Sequence, residues 1–172
     1  MKRMRRFGVM ALVMLLALVS VVPASAGNKT QITGDCYFLE EPDSPDVRLW
    51  YTSDNMLHIR DEIQAFHCNF SDPRLGELIH GEINWDVQEY TDPMWYVVGH
   101  DYGRMTWMDA DGNVLWEGFR NTFDEPIWIA HGTFVMTGRG ANTGMVIKGT
   151  VDFDGSREFP LHLEGELSGP GQ

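Results

Sequence analysis

One predicted strand carries side chains that could hold a metal ion. In the segment GELIHGEINWDVQ, the alternate residues His80, Glu82 and Asp86 project from the same face. A histidine and a carboxylate two positions apart on a strand can chelate a metal, with a third ligand from a neighbouring strand. The chain has six scattered histidines and 25 acidic residues, so such coincidences are expected. We therefore interpret this set as a solvated strand face and predict no metal.

The segment DADGN, residues 109–113, is similar in composition to a calcium-binding loop. An EF-hand loop requires glycine at position six and a bidentate acid at position twelve, whereas Gly112 is fourth and Glu117 is ninth. Strand-like segments flank it on both sides. Aspartate, asparagine and glycine tolerate left-handed backbone geometry, so the pattern predicts a hairpin turn.

The glycine-rich segment GRGANTG resembles a phosphate-binding loop in composition only. Its glycines, Gly138, Gly140 and Gly144, are spaced one residue too widely for a dinucleotide fingerprint, and a strand pattern follows where that fingerprint needs a helix. We predict a hairpin that needs positive φ. Gly132 and Gly149 are expected to allow bends in a curved sheet.

No catalytic nucleophile is evident from the sequence. The chain has no G-x-S-x-G elbow, and its many acidic residues single out no glycosidase pair without distances. The tryptophans are more suggestive, because indole rings line apolar ligand cavities and also fill ordinary barrels. Both interpretations are open for the six tryptophans: Trp50, Trp85, Trp95, Trp107, Trp116 and Trp128.

Alternation of apolar and polar residues with period two runs through nearly all of the chain after residue 27. Nine or ten short strands separated by turn signals predict an all-β fold, a single antiparallel barrel or a sandwich. The dry faces of the regular strands are expected to line one continuous apolar interior, formed by Ile79, Ile83, Trp85, Met145, Ile147, Val151, Phe153, Leu161 and Leu163. Other predicted strands are 30–39, 47–52, 56–60, 62–70, 104–108, 114–123 and 128–137.

The first 26 residues have the pattern of an export signal: a basic start, an apolar stretch and an A-x-A site ending at Ala26. We predict cleavage there, a secreted product and one domain over residues 27–172. The net charge of −12 becomes −16 once the four basic residues of the signal are removed. So acidic a chain disfavours nucleic acid and membrane-surface partners.

The two cysteines, Cys36 and Cys68, are predicted to form a disulfide, because an exported protein meets an oxidising compartment. A bridge that closes a loop of about 30 residues contributes roughly 3–4 kcal/mol in the chain-entropy model.

The segments NMLHIRDE, SDPRLGE, DADGNVLWEGF and AHGTFVMTGRGANTGMVIKGTV resemble ordered landmarks of exported bacterial proteins with an allene-oxide-cyclase-like barrel. The resemblance covers most of the chain after the signal. It implies a closed antiparallel barrel of eight strands with an apolar cavity, and it transfers neither a reaction nor pocket residues, because fold does not determine function.

The sequence favours a secreted binding module for a small apolar or amphipathic ligand, without a cofactor. The alternatives are an isomerase or cyclase that uses the same cavity, and an extracellular interaction protein with a filled barrel. A buried acid or histidine in the interior would favour the enzyme. The oligomeric state and the inward faces of the less regular strands are not determined. The candidate cavity residues are Ile83, Trp85, Trp107, Trp116, Met145 and Phe153.

Overall fold

The computed structural model describes residues 29–39, 46–91, 96–125, 129–154 and 160–170. The predicted signal segment, Trp95 and Trp128 lie outside these ranges. Within them, no helix is long and apolar enough to cross a membrane. The strands are β1 (Thr30–Phe38), β2 (Arg48–Tyr51), β3 (Leu57–Phe70), β4 (Leu78–Thr91), β5 (Tyr96–Met108), β6 (Val114–Glu125), β7 (Ile129–Gly138), β8 (Val146–Asp154) and β9 (Leu161–Ser168), with 3₁₀ helices at Pro73–Leu75 and Gly140–Asn142.

The strands form a closed antiparallel barrel of eight strands. From β3 to β9 each strand pairs with the next one along the chain, β9 pairs with β1, and β1 pairs with β3 to close the ring. The short β2 is a ninth strand outside the ring, paired with the first residues of β3. The prediction of an all-β closed barrel with about eight main strands is confirmed.

The disulfide between Cys36 and Cys68 joins β1 to β3, the two strands whose pairing closes the barrel. Both cysteines are buried and face the interior. The predicted pairing is therefore confirmed, and its place in the fold is the closing seam.

Two strand boundaries differ from the sequence prediction. The segments 56–60 and 62–70 belong to one strand, β3, which is interrupted by a bulge between Ile59 and Glu62 where Asp61 adopts a φ of 63°. β5 begins at Tyr96, eight residues before the predicted start at Arg104. Gly99, Asp101 and Gly103 occupy inward positions in this part of the strand, so the sequence lacks the apolar alternation that marks a strand.

The predicted turns are confirmed. In DADGN, Gly112 has a φ of 81°, and the Asp109 carboxylate accepts hydrogen bonds from the backbone of Asp111 and Asn113. In GRGANTG, Gly140 and Gly144 have φ values of 55° and 88°. No phosphate-loop helix follows, since β8 begins at Val146.

The main apolar core fills the barrel between its middle and one end. Leu75, in the first 3₁₀ helix, closes this end and is fully buried. The Trp116 indole N–H and the Asn142 side chain both donate to the carbonyl of Arg74, which attaches the two 3₁₀ helices to the barrel. We call this the capped end. The cluster comprises Ile32, Cys36, Phe66, Cys68, Leu75, Ile79, Met105, Trp107, Trp116, Phe134, Met136, Ile147, Val151, Leu163 and Leu167.

The interior is not one continuous apolar volume, and that prediction was wrong. A second, separate apolar cluster contains Leu57, Ile83, Trp85 and Val87, on β3 and β4. Buried polar side chains occupy the inward positions beyond the main core on the neighbouring strands. We call them the polar layer: Gln64, Asp101, Arg120, Thr122 and Asp124.

Candidate functional site

Three of the five residues of the polar layer lie inside because of the register of β6. Trp116 faces the core, and strand alternation places Arg120, Thr122 and Asp124 on the same inward face. The intervening Phe119 and Phe123 are consequently outside, 62% and 48% exposed. This strand therefore reverses the usual preference, with phenylalanines in solvent and charges inside. Such an arrangement is costly for a barrel that needs only to fold.

Arg120 and Asp101 form a buried ion pair across β5 and β6. The Arg120 Nε donates to Asp101 Oδ1 at 3.0 Å, and the second guanidinium nitrogen lies 2.9 Å from the same oxygen. Their side chains are only 6% and 3% exposed. Burial raises the pKa of Asp101, while the charge and hydrogen bonds of Arg120 oppose that rise. The Thr122 hydroxyl also helps to hold this pKa down, although it makes no hydrogen bond of normal geometry.

Asp124 is the second buried acid of the layer, and its Oδ2 atom has no hydrogen-bond partner among the described residues. Its register neighbours are Gly99 on β5 and Ala130 on β7, neither of which offers a side-chain donor. Burial, followed by the negative charge of Asp101, raises the pKa of Asp124 to about 7, and Arg120 lowers it only in part. The positive charge of Arg120 thus lowers the pKa of two carboxylates, those of Asp101 and Asp124. Asp124 gains or loses its proton near neutral pH.

The apolar wall beside this layer is formed by the second cluster. Trp85 is the register partner of Asp101, and its indole N–H donates to Glu62, another inward acid on β3. Ile83, 1% exposed, lies two residues along the same face of β4. The interior therefore places an aromatic and aliphatic surface next to ionisable groups. This combination suits a ligand with one apolar and one polar part.

The structure does not bring all six predicted cavity residues to one place. Ile83 and Trp85 lie beside the polar layer, whereas Trp107 and Trp116 are fully buried in the main core. Met145 is partly buried against that core. The Trp107 indole nitrogen is buried and, like Asp124 Oδ2, has no hydrogen-bond partner in the described ranges.

The sixth residue, Phe153, is half-buried and lines a groove of about 380 Å³. The partly exposed side chains of His131 and Asp152 line the same groove. Two histidine–carboxylate pairs flank this groove: His131 Nδ1 lies 2.6 Å from Asp152, and His162 Nδ1 lies 2.7 Å from Asp35. The hydrogen bond with Asp35 raises the pKa of His162. The side chains of both pairs are about half exposed, so they belong to a polar surface rather than to a buried site.

The candidate metal ligands lie on the outer face, as predicted, and do not converge. His80 and Glu82 are exposed, while Asp86 accepts from Arg60 at 2.5 Å and lies 2.6 Å from His58 Nδ1. Partial burial raises the pKa of Asp86, but the hydrogen bonds with Arg60 and His58 outweigh this effect and hold the pKa below its usual range. The part of the chain that the structure describes contains no cluster able to hold a metal ion.

The sequence analysis missed Asp101, Arg120, Thr122 and Asp124. One signal could have found three of them, since counting by two from the inward Trp116 reaches residues 120, 122 and 124. The inward position of Asp101 could not be found in this way, because the part of β5 that contains it was not recognised as a strand.

Comparisons with protein-family models, curated proteins and solved structures find no match to this chain. The allene-oxide-cyclase-like resemblance therefore stays a hypothesis, and the function must be argued from the site.

Proposed function

We propose that this protein binds a small amphipathic ligand inside the barrel, with the polar group of the ligand toward Asp124 and its apolar part against Ile83 and Trp85. One observation carries the proposal: a buried carboxylate oxygen that has no partner among the residues the structure describes lies in a charged layer next to an apolar cluster. Removing charges from water costs several kcal/mol per ion unless they are well paired. A ligand that hydrogen-bonds to Asp124 would offset part of that cost.

The proposed location is outside the cell, after cleavage following Ala26. Two observations support export: the basic and apolar pattern of the first 26 residues, and a disulfide between the only two cysteines of the chain. N-terminal sequencing of the protein recovered from the medium tests this location. A product that begins at Met1 would contradict it.

Binding can be tested with N-phenyl-1-naphthylamine, a neutral apolar fluorophore that carries one N–H donor. We expect saturable binding at micromolar concentrations and a higher melting temperature in its presence, because a ligand of the native state stabilises it. Trp85→Ala should weaken binding, whereas Val135→Ser, on the exposed outer face, should not. If the wild-type protein shows no saturable binding, the alternative of a filled barrel that acts through its outer surface is favoured.

A further inference from the structure

We infer that the interior site also transfers protons: Asp124 is a general base that removes a proton from a carbon atom next to the carbonyl group of a bound ketone and returns it to another carbon. The inference rests on the proposed binding function, because the ketone must occupy the same site. It assigns an isomerase activity, and the substrate class is a small, mainly apolar ketone with a β,γ double bond.

The geometry separates the two buried acids into different roles. Asp101 receives both contacts from Arg120, at 3.0 and 2.9 Å, so its carboxylate is paired within the protein. Asp124 is 4% exposed, and its Oδ2 atom has no partner within the described chain. The neighbouring positions on β5 and β7, Gly99 and Ala130, cannot supply one. Within the described part of the chain, this oxygen is therefore free to accept a hydrogen bond or a proton from a bound molecule.

The charges around Asp124 suit a base that works near neutral pH. Burial, followed by the negative charge of Asp101 on β5, raises its pKa to about 7, and the positive charge of Arg120 on β6 lowers it only in part. Glu62, inward on β3, accepts from the Trp85 indole. A general base is most efficient when its pKa is close to the working pH, because it is then both strong and deprotonated in a large fraction of molecules.

The proposed step is balanced without a co-reactant. The Asp124 carboxylate forms an O–H bond with the α-hydrogen as the C–H bond breaks, and the electron pair moves onto the carbonyl oxygen to give an enolate. The guanidinium of Arg120 supplies positive charge in the same layer, which stabilises the enolate. The protonated carboxyl then returns its proton to the γ-carbon, the double bond moves into conjugation, and the carboxylate is restored.

The experiment uses 5-nitrobenzisoxazole, a small apolar probe for a base in an aromatic pocket. A carboxylate removes its C–H proton while the N–O bond breaks, and the products are a nitrile and a coloured phenolate. We expect kcat/KM to rise with pH through an apparent pKa near 7. In Asp124→Asn, kcat/KM should fall at least about tenfold and lose this pH dependence. Asp111→Asn, in the exposed hairpin turn, should behave like the wild type.

Binding of the same probe is measured separately, by quenching of tryptophan fluorescence. If the probe binds but Asp124→Asn reacts as fast as the wild type, the proton-transfer inference is overturned and the binding function stands. The same conclusion follows if the wild-type profile has a pKa near 4. If the wild type binds N-phenyl-1-naphthylamine saturably but not this probe, the proton-transfer inference is overturned and the binding function stands. If it binds neither compound saturably, both proposals fail. Near-ultraviolet circular dichroism confirms that Asp124→Asn is folded.

Discussion

Cys36 lies directly opposite Cys68 across β1 and β3, with 4.0 Å between their Cα atoms, so the disulfide is a covalent link across the seam that closes the barrel. The two cysteines are 32 residues apart in the sequence. We expect the double variant Cys36→Ser/Cys68→Ser to lose roughly 3–4 kcal/mol of unfolding free energy, because its unfolded chain is no longer cross-linked. Urea unfolding of the oxidised wild type and the variant measures the difference.

Reduction provides the control for this prediction. A reductant should destabilise the wild type by a similar amount and leave the double variant unchanged. Equal urea midpoints for the oxidised wild type and the variant would contradict a stabilising role of the bridge.

The sequence predicted the architecture wherever apolar residues mark one face of a strand. In β4 the inward Ile79, Ile83 and Trp85 alternate with polar residues, and the structure places them inside. The start of β5 carries Gly99, Asp101 and Gly103 inside, and no periodic hydrophobic signal can reveal a strand of that kind.

The candidate site could not be predicted from the sequence for the same physical reason. In β6, Phe119 and Phe123 would be assigned to the interior by hydrophobicity, yet the register fixed by Trp116 turns them outward. Register is set by pairing along the whole strand, so a strongly buried segment can force polar residues further along into the interior. The residues that break the local pattern are the ones that form the candidate site.

Asp124→Asn should make stability less dependent on pH. The folded protein holds this proton up to about pH 7, whereas the unfolded chain releases it near pH 3.8, so stability falls as the pH rises between these values. Above pH 7 the folded protein carries the full cost of burying the ionised Asp124 carboxylate, and asparagine removes that cost. We expect the variant to be more stable than the wild type by roughly 2–4 kcal/mol at pH 8 and similar to it at pH 4.

Urea unfolding across this pH range measures the effect. Asp101, whose pKa is also raised, contributes a slope of the same sign that both proteins retain. Parallel stability profiles for the wild type and Asp124→Asn would show that folding does not raise the pKa of Asp124.

Arg120→Met should be among the most destabilising single changes in the interior. It leaves the carboxylates of Asp101 and Asp124 buried without the guanidinium that lowers the pKa of both, which costs about 3–5 kcal/mol when one partner of a buried pair is removed. The double variant Arg120→Met/Asp101→Leu should recover part of this loss. A double-mutant cycle by urea unfolding tests this, and purely additive effects would argue against coupling between Arg120 and Asp101.

Gly149→Ala should destabilise the barrel more than Gly112→Ala. A Cβ at Gly149 would lie 2.0 Å from the Glu164 carbonyl oxygen and 2.6 Å from the Phe134 ring, so the strands must move, at a cost of roughly 2 kcal/mol or more. At Gly112 nothing lies within 4 Å, and only the positive φ is strained, at about 1 kcal/mol. Equal losses on urea unfolding would mean that close strand approach does not require glycine at position 149.

Ile83→Ala and Ile147→Ala form a matched pair that locates the ligand within the barrel. Both isoleucines are almost completely buried, at 1% and 0% exposure, so either truncation should cost about 2–4 kcal/mol of stability. Ile83 belongs to the cluster beside the polar layer, whereas Ile147 lies in the main core near the capped end. We therefore expect Ile83→Ala to change the affinity for N-phenyl-1-naphthylamine several-fold and Ile147→Ala to leave it unchanged. Fluorescence titration of both folded variants decides the point, and a change confined to Ile147→Ala would place the ligand in the main core instead.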